Sequence, residues 1–223
     1  MEGTRLRILQ ILQKNTNDTV EGLAKGVGLA SATIRRHLDI LQRDHLVAFS
    51  EVRKKTGRPE HSFYLTEEGQ ETLPKNYSKL LGMVVQQLSE LSERDTLGKD
   101  GSDVLDLVFS RLADEVVRPL KADLAGKSLG ERVASLERHL EDQTFLPKMD
   151  VSDGSLKIRL MNCPFRSVAL QSKAVCTFDL NVISSMLDMN VERHNCIHDG
   201  DSGSGCMYVA DLSAEAERQL TTA

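Results

Sequence analysis

Tryptophan is absent from this 223-residue sequence, and aromatic residues make up only 4% of it. A core built mainly from Leu, Val, Ile and Met favours helix-rich packing. No stretch approaches the ~18–20 consecutive apolar residues of a membrane span. The opening residues MEGTRLRILQILQKN carry charges throughout and contain no apolar core, so we expect no signal peptide. These absences predict a cytoplasmic protein.

Motifs of catalysis are also missing. The sequence has no phosphate-binding glycine loop, no nucleophile motif and no HExxH motif, so we expect no enzyme activity. Cysteine does not occur in the first 162 residues, and four cysteines lie in the last third. Because cytosolic thiols stay reduced, these cysteines indicate metal or redox chemistry rather than structural disulfides.

Charge is unevenly spread along a chain whose net charge is −5. Residues 1–80 contain 13 Lys and Arg against 10 Asp and Glu, whereas the remainder contains 15 against 23. A mildly basic N-terminal segment, here called the head, followed by an acidic remainder, here called the body, is typical of a nucleic-acid-binding domain joined to a domain with another function. We predict a DNA-binding domain over 1–74, a dimerisation helix and linker over 75–103, and a sensor domain over 104–223.

The sequence of the head predicts three helices. Residues 4–15 carry an apolar stripe, and a short helix over 19–25 is expected after an N-cap at Asn17 or Asp18. A glycine turn then leads to a third helix within LASATIRRHLDILQRD, residues 29–44. Its buried face is predicted to consist of Ile34, Leu38 and Leu41. Three helices with a tight turn before the third indicate a helix-turn-helix.

Two strand-like segments follow, LVAFSEVRK (46–54) and HSFYLT (61–66), joined by the turn KTGRPE. This hairpin predicts a wing. The start of the third helix would meet base edges in the major groove, and the wing tip would contact phosphates. The candidate DNA-binding residues are Ser31, Thr33, Arg35 and Arg36 on the helix and Lys54, Lys55 and Arg58 on the wing. Each is alternatively an ordinary solvated residue. A weakly basic head favours a homodimer on double-stranded DNA with a palindromic operator.

The body begins with an apolar stripe over 77–92, which either pairs two copies of the chain or packs on its own domain. We take 93–103 as a linker. Further elements are predicted as helices over 104–124, 129–143 and 174–190, strands over 155–162 and 167–173, and a hairpin over 191–212. The predicted fold class is α+β and mostly helical, with an N-terminal winged helix-turn-helix, a helical dimerisation region and a C-terminal α/β sensor domain with cysteine ligands.

The cysteines are Cys163, Cys176, Cys196 and Cys206, separated by twelve, nineteen and nine residues. No pair has the two-residue spacing of zinc ribbons, so the sequence signal for zinc is poor. Cys163 follows a predicted strand, Cys176 begins a helix, and the other two flank a hairpin loop. Thiolates gathered from separate elements can hold an iron–sulfur cluster. Zinc or another thiophilic metal, redox-active thiols and unrelated buried cysteines are the alternatives.

Several segments resemble the SufR-type iron–sulfur regulators, a winged-helix group near the ArsR and DeoR families. SATIRRHLDIL is similar to their recognition helix, and GRPEHSFYLTEEGQETLP to their wing and following helix. LGERVASL, MNCPF…AVC and VERHNC…GCMYV are similar to later segments, so the resemblance covers nearly the full chain. It implies a homodimer with one [4Fe–4S] cluster per subunit. The cluster state would tune promoter affinity, usually in a repressor of iron–sulfur assembly genes.

One position departs from the SufR pattern. The third cysteine of that pattern falls just before VER, where this chain has Asn190, and Cys196 follows six residues later. The resemblance carries over Cys163, Cys176 and Cys206 as ligands, whereas Cys196 is our own inference. His194 and His198 flank Cys196 and are alternative ligands.

We therefore predict an iron–sulfur cluster-dependent transcriptional regulator that senses oxidants, nitric oxide or iron status. Two other regulators fit the same sequence. One keeps the DNA-binding head but responds through thiol redox chemistry, zinc or another thiophilic metal. The other binds a small ligand between residues 104 and 160.

Overall fold

In a computed structural model of the chain, the described residues are 3–53, 59–197 and 205–221. Contacts divide the chain into two compact units, Met1–Pro74 and Lys75–Ala223. Each unit has its own antiparallel sheet and its own apolar core. Helices predominate in both units.

The first unit contains the predicted helices and hairpin. In chain order its elements are α1 (Thr4–Asn15), β1 (Asn17–Thr19), α2 (Val20–Val27), α3 (Ser31–Arg43), β2 (Val47–Val52), β3 (Glu60–Leu65) and α4 (Glu67–Glu71). The predicted cap of α2 was wrong: Thr19 accepts a hydrogen bond from the backbone N–H of Gly22. Asn17 and Asp18 instead belong to β1, which pairs with β3.

A left-handed glycine makes the turn between α2 and α3. Gly28 has a φ of 80° and donates its backbone N–H to Ala24, which ends α2 without the steric cost that a side chain would bring. The following helix then packs its apolar face into the core. That core is built from all three helices and includes Ile8, Leu9, Leu12, Leu23, Ile34, Leu38 and Leu41. The predicted helix-turn-helix is confirmed.

The sheet of the first unit has the strand order β1-β3-β2. Strands β2 and β3 pair antiparallel with Phe49 opposite Phe63, as predicted for the stem of the wing. Phe63 and Leu65 point into the core, which fixes the register because a slip of one residue would expose them. The wing tip, residues 54–58, lies outside the described residues.

The second unit begins with helices and continues with a sheet. Its elements are α5 (Tyr77–Ser89), α6 (Glu93–Thr96), α7 (Gly101–Val117), α8 (Lys121–Leu124), α9 (Leu129–Asp142), β4 (Pro147–Ser152), β5 (Ser155–Leu160), α10 (Arg166–Ala169), α11 (Ala174–Leu187), β6 (Glu192–Asn195), β7 (Cys206–Asp211) and α12 (Ala214–Thr221). The strand order is β4-β5-β7-β6, with antiparallel neighbours.

Helix α11 is the centre of this unit. It packs against α7 and α9, and most of its residues are buried, from Val175 in the first turn to Leu187 in the last. A helix that is apolar on nearly all sides is stable only inside a core. The buried face of β5 supplies Leu156, Ile158 and Leu160 to the same core.

Several predictions for the second unit were wrong in detail. Residues 166–169 form α10 rather than part of a strand, and the helix predicted over 104–124 changes to a 3-10 turn at Arg118–Leu120, where Pro119 removes a backbone donor. The linker predicted over 93–103 contains α6 and the start of α7. The segment after residue 74 also packs within this unit, because Leu80 of α5 is buried in its core.

Among the described residues, no helix is both long and apolar enough to cross a membrane.

Candidate DNA-binding surface and candidate thiol centre

The exposed face of α3 carries the candidate base-reading residues. Burial of Ile34 and Leu38 fixes the rotation of the helix and turns its other face to solvent. The residues on or beside that face are Ser31, which is half-buried, and the exposed Thr33, Arg35 and Arg36. Among the described residues, no side chain caps α3, so its first backbone N–H groups are suited to meet an anion such as a phosphate.

Arg35 is held by an ion pair across the helix-turn-helix. Its Nη2 atom lies 3.3 Å from Oε1 of Glu21 on α2, and both side chains are 60% exposed. At that exposure the pair adds little stability, about 0–1 kcal/mol. It does give the guanidinium a fixed direction, and it places a carboxylate next to a candidate DNA contact.

The wing is described only at its stem. The rings of Phe49 and His61 stack at a centroid distance of 4.1 Å across β2 and β3, which stiffens the hairpin below its tip. The predicted phosphate contacts Lys54, Lys55 and Arg58 lie outside the described residues, so they remain predictions.

Three of the four cysteine sulfurs meet in the core of the second unit. The Sγ atom of Cys196 lies 3.0 Å from that of Cys176 and 3.9 Å from that of Cys206. All three are buried, whereas Cys163 is half-buried at the edge of the group and interacts electrostatically with each of them. The fold therefore brings together residues that are up to 43 positions apart in sequence.

Each sulfur in this thiol centre comes from a different part of the fold. Cys163 follows β5, Cys176 lies in the first turn of α11, Cys196 follows β6, and Cys206 begins β7. Cys206 pairs with Leu160 in the sheet, and Gly205 precedes it with a φ of 72°. A Cβ on Gly205 would lie 2.3 Å from the Leu160 carbonyl oxygen, so only glycine permits this approach.

The loop that carries Cys163 is tied to the start of the second unit. Lys75 Nζ donates to Oδ1 of Asn162 at 3.2 Å and to the carbonyl of Cys163 at 3.1 Å. The backbone N–H of Asn76 donates to the carbonyl of Pro164 at 3.0 Å. Residues 162–164 are thus hydrogen-bonded to the two residues that directly follow the first unit in the chain.

The environment keeps these sulfurs protonated. Burial, followed by the nearby Asp179 carboxyl, raises the pKa of Cys163 to about 12. Hydrogen bonding to Cys196, together with burial, raises the pKa values of Cys176 and Cys206 far above the usual range for a thiol. The backbone N–H of Phe165 and the ammonium group of Lys75 favour the thiolate of Cys163, but burial outweighs them, so at neutral pH this group is a thiol. A cation bound among the sulfurs would favour the thiolate form.

Two buried oxygens next to the thiols have no hydrogen-bond partner among the described residues. They are Oδ1 of Asp179, on α11, and the hydroxyl of Tyr208, on β7. Burial raises the pKa of both groups, and each interacts electrostatically with cysteines of the centre. Unpaired buried polar atoms cost about 1–3 kcal/mol each, so their persistence beside four thiols suits a site that receives a polar guest.

Sequence reasoning missed Asp179 and Tyr208. The available signal was one carboxylate in the otherwise apolar stretch AVCTFDLNVISSML, three residues after Cys176. An acidic residue in a helix that is buried on nearly all sides is rarely retained without a partner or a function.

The donor set fits a thiophilic metal, although one of the two sulfur–sulfur contacts is shorter than a metal requires. Zinc–sulfur bonds of about 2.3 Å give a tetrahedral sulfur–sulfur spacing of about 3.8 Å, longer than the 3.0 Å between Cys176 and Cys196. Within the described residues no set of three or more His, Cys, Asp or Glu side chains is arranged as a finished metal site. Any metal centre at these thiols therefore requires the sulfurs to move apart.

The other candidate ligands lie elsewhere or outside the described residues. Asn190, which stands at the position of the third SufR cysteine, is exposed. His194 is also exposed, and both residues line a surface groove with Glu192 and Asp211. His198 lies outside the described residues. Cys196, which we predicted to complete the ligand set, contacts the sulfurs of two other cysteines.

Comparisons with known proteins identify the first unit. Residues 2–48 match the bacterial regulatory protein, arsR family. That match covers α1 to α3 and the start of β2, and so includes the exposed face of α3. No curated protein matches the chain.

Solved structures give only distant similarities. Bacillus subtilis PadR in complex with operator DNA shares 16% identity with a TM-score of 0.28, covering 82% of this chain and 97% of that chain. A mutant H-NOX domain from Shewanella oneidensis in the Fe(II)CO ligation state shares 14% identity with a TM-score of 0.37, covering 96% and 99%. These scores carry no argument about fold or function. Residues 2–48 thus form a helix-turn-helix that is similar to the bacterial regulatory protein, arsR family.

Proposed function

We propose that this chain is a homodimeric DNA-binding repressor whose affinity for a palindromic operator is set by a [4Fe–4S] cluster, one per subunit. Cys163, Cys176, Cys196 and Cys206 would hold the cluster. The observation that carries the proposal is the meeting of three of these thiols, with Cys163 at the edge of the group, inside the unit that follows an arsR-type helix-turn-helix. Oxidants, nitric oxide or iron shortage would act by removing the cluster.

The protonation of the thiols favours a metal centre over a dithiol switch. Redox-sensing cysteines are exposed and have lowered pKa values, because the thiolate is the reactive form. Here burial and sulfur–sulfur hydrogen bonding raise the pKa values instead. When bound, an iron–sulfur cluster supplies the positive charge that stabilises four thiolates. The protein contributes four donors from separate elements and shields them from water.

Regulation follows from the spacing of the sulfurs. A cluster fixes the distances between its four thiolates, so the positions of the thiol-bearing elements would differ between the cluster-bound and the cluster-free protein. The loop at Cys163 transmits that difference to Lys75 and Asn76, at the junction with the DNA-binding unit. Two DNA-binding heads must meet grooves about 34–36 Å apart, so a small change in their separation alters affinity.

The second copy of the chain would dock on α5. Leu81, Val85 and Leu88 are 64%, 56% and 49% exposed and follow each other at steps of four and three residues. That spacing forms one apolar stripe on the helix, of the kind that pairs two helices. A palindromic operator has two half-sites related by a twofold axis, so a helix-turn-helix protein that binds it needs a second copy of itself. We therefore take a second copy of this chain as the partner that covers the stripe.

Anaerobic purification with iron, sulfide and zinc analysis tests the metal half of the proposal. We expect a coloured protein with equal iron and acid-labile sulfide. Cys163→Ser should lose both, whereas the matched surface variant Asn190→Ser should retain them. A colourless protein with one zinc per chain and no sulfide would contradict the cluster. A metal-free protein that forms a Cys176–Cys196 disulfide on mild oxidation would instead favour the dithiol switch that their 3.0 Å contact allows.

Two combined substitutions test whether Cys196 is a ligand of the cluster. Cys196→Ser should lose the cluster, and adding Asn190→Cys to that variant should not restore it, because residue 190 is exposed in a surface groove. Restoration of iron and sulfide by Asn190→Cys would show that the ligand set follows the SufR pattern rather than the contacts described above.

The salt dependence of operator binding tests the DNA half. With roughly six to ten phosphate contacts per dimer, affinity should fall by about 10³–10⁵ between 50 and 200 mM salt. A flat response in a fluorescence-anisotropy titration would count against DNA binding by this surface.

A further inference from the structure

A pocket lined by phenylalanines runs into the second unit among α5, α7, α9 and α11. Three phenylalanines and four aliphatic side chains form most of its wall: Met83, Val116, Leu140, Phe145, Phe165, Phe178 and Val182. The half-buried His139, which interacts electrostatically with Lys79, also lines it. Its outer end carries the exposed Lys79 and the half-buried Gln143, which are hydrogen-bonded to each other. The pocket is therefore apolar along its length and polar only at its ends.

The inner end of this phenylalanine pocket adjoins the thiol centre. Phe165 forms part of its wall, and the backbone N–H of Phe165 donates to the sulfur of Cys163. Phe178 and Asp179 lie in the α11 turn that follows Cys176. Asp179 is only 5% exposed, lines the pocket and interacts electrostatically with Cys163, Cys176 and Cys196. One wall thus separates the pocket from the sulfurs.

The size and the lining limit what the pocket can hold. It leaves about 40 Å³ for the centres of water-sized molecules, where one water needs about 10–15 Å³, so a molecule of two to about four heavy atoms fits. A bound water needs two to four polar partners. The inner end offers the Asp179 carboxyl, whose Oδ1 has no partner among the described residues. An ion would lose its hydration without replacement.

We propose that this pocket binds an uncharged diatomic gas and gives it access to the thiol centre. Dioxygen and nitric oxide share the required chemistry: both are small, uncharged and nearly apolar. The phenylalanines and aliphatic side chains provide the contact surface, and Asp179 provides the single polar contact at the inner end. The consequence for sensing rests on the proposed function, whereas the binding of the gas does not.

Xenon is the probe for binding, because it is an apolar atom that enters dry cavities of proteins. Xenon-129 NMR titration of the reduced, metal-free full chain should show one saturable site. Met83→Trp should abolish that site, and Val116→Phe, which fills the pocket from α7 instead of α5, should do the same. The matched control Gln86→Trp adds an indole to an exposed position of the same helix and should leave xenon binding unchanged. Each variant is compared with wild type by circular dichroism and melting temperature.

Xenon binding tests whether the pocket takes up an apolar molecule, whether or not the protein holds a cluster. No saturable xenon site in wild type, or a site that survives both filling variants, would overturn the proposal even if iron and sulfide are present. A saturable site that both variants remove would support the pocket even if the metal analysis shows no cluster.

Access is then measured on the anaerobic, cluster-loaded protein by the loss of visible absorption. Met83→Trp should slow the loss caused by nitric oxide several-fold and leave the rate with ferricyanide, a charged oxidant that cannot enter the pocket, unchanged. Equal slowing by both reagents would indicate a general change at the centre, and no slowing with nitric oxide would show another route. Either outcome overturns the access role.

Discussion

At the scale of single residues, the sharpest feature of the DNA-binding unit is the carboxylate beside Arg35. The Arg35–Glu21 pair is exposed, so it stabilises the fold little, but it competes with a phosphate or a guanine for the same guanidinium. We expect Glu21→Gln to tighten operator binding about two- to fivefold, the factor that roughly 0.5–1 kcal/mol represents. Fluorescence anisotropy at fixed salt measures the change.

The control removes the same charge elsewhere in the unit. Glu68→Gln, on the exposed side of α4, lowers the net negative charge equally but does not contact Arg35. If both variants bind the operator more tightly than wild type by the same factor, the cause is the change in net charge. Weaker binding in Glu21→Gln would show that the carboxylate positions Arg35 for DNA rather than competing with it.

Single residues also mark the limit of what could be predicted for the thiol centre. Four cysteines in one domain predicted a shared site, but the contact between Cys176 and Cys196 depends on how β6 is placed beside α11. The raised pKa values follow from burial by other elements, which local sequence does not reveal. The ligand assignment stays a prediction until a metal is measured.

At the scale of elements, the exposed stripe of α5 gives the clearest prediction. Val85 is 56% exposed at the centre of the stripe between Leu81 and Leu88. Because a charge in an apolar interface must be desolvated without a partner, Val85→Lys should convert the proposed dimer into a monomer. It should also weaken operator binding. Light scattering coupled to gel filtration measures the mass.

Gln86→Lys is the matched control, since it places the same charge on the next residue of α5, beside Glu90 and away from the stripe. It should leave the mass unchanged. A wild-type protein that is monomeric at micromolar concentration, or a Val85→Lys variant that remains dimeric, would reject α5 as the interface.

Elements with a strong local pattern were predicted well. The apolar steps of α3 and the turn at Gly28 define the helix-turn-helix before any tertiary contact is known. The hairpin of β4 and β5 was missed although its turn residues Asp153 and Gly154 both have positive φ, the pattern typical of a two-residue turn. Helix α10 was mistaken for a strand. Arg166 and Ala169 are both buried, and this spacing of three residues is the one expected of a helix, but only the packing of the folded chain reveals it.

At the scale of the whole molecule, charge follows the division into units. The mildly basic 1–80 segment nearly coincides with Met1–Pro74, and the acidic remainder with Lys75–Ala223. An acidic second unit is repelled by DNA, so the polyanion is steered toward the first unit. Composition therefore predicted which part reads DNA. It could not reveal that Lys75 and Asn76 hold the Cys163 loop, because those hydrogen bonds join residues far apart in sequence.

Lys75 is the residue through which we expect communication between the two units to pass. It is the first residue of the second unit, and its ammonium group holds both Asn162 and the carbonyl of Cys163. Lys75→Ala removes those bonds without removing a thiol. We expect the variant to bind the cluster normally but to show nearly equal operator affinity with and without it, whereas wild type shows a large ratio. Iron content and anisotropy titrations of both forms supply the numbers.

Lys79→Ala, a lysine one turn further along that contacts Gln143 instead, is the matched control and should keep the wild-type ratio. If Lys75→Ala also keeps that ratio, the signal leaves the thiol centre by another element, such as the α7 face that packs on α11. If it loses the cluster itself, Lys75 supports the Cys163 loop rather than transmitting its position. The proposed role of Lys75 requires that Lys75→Ala retains the cluster and binds the operator with nearly equal affinity in the presence and the absence of the cluster.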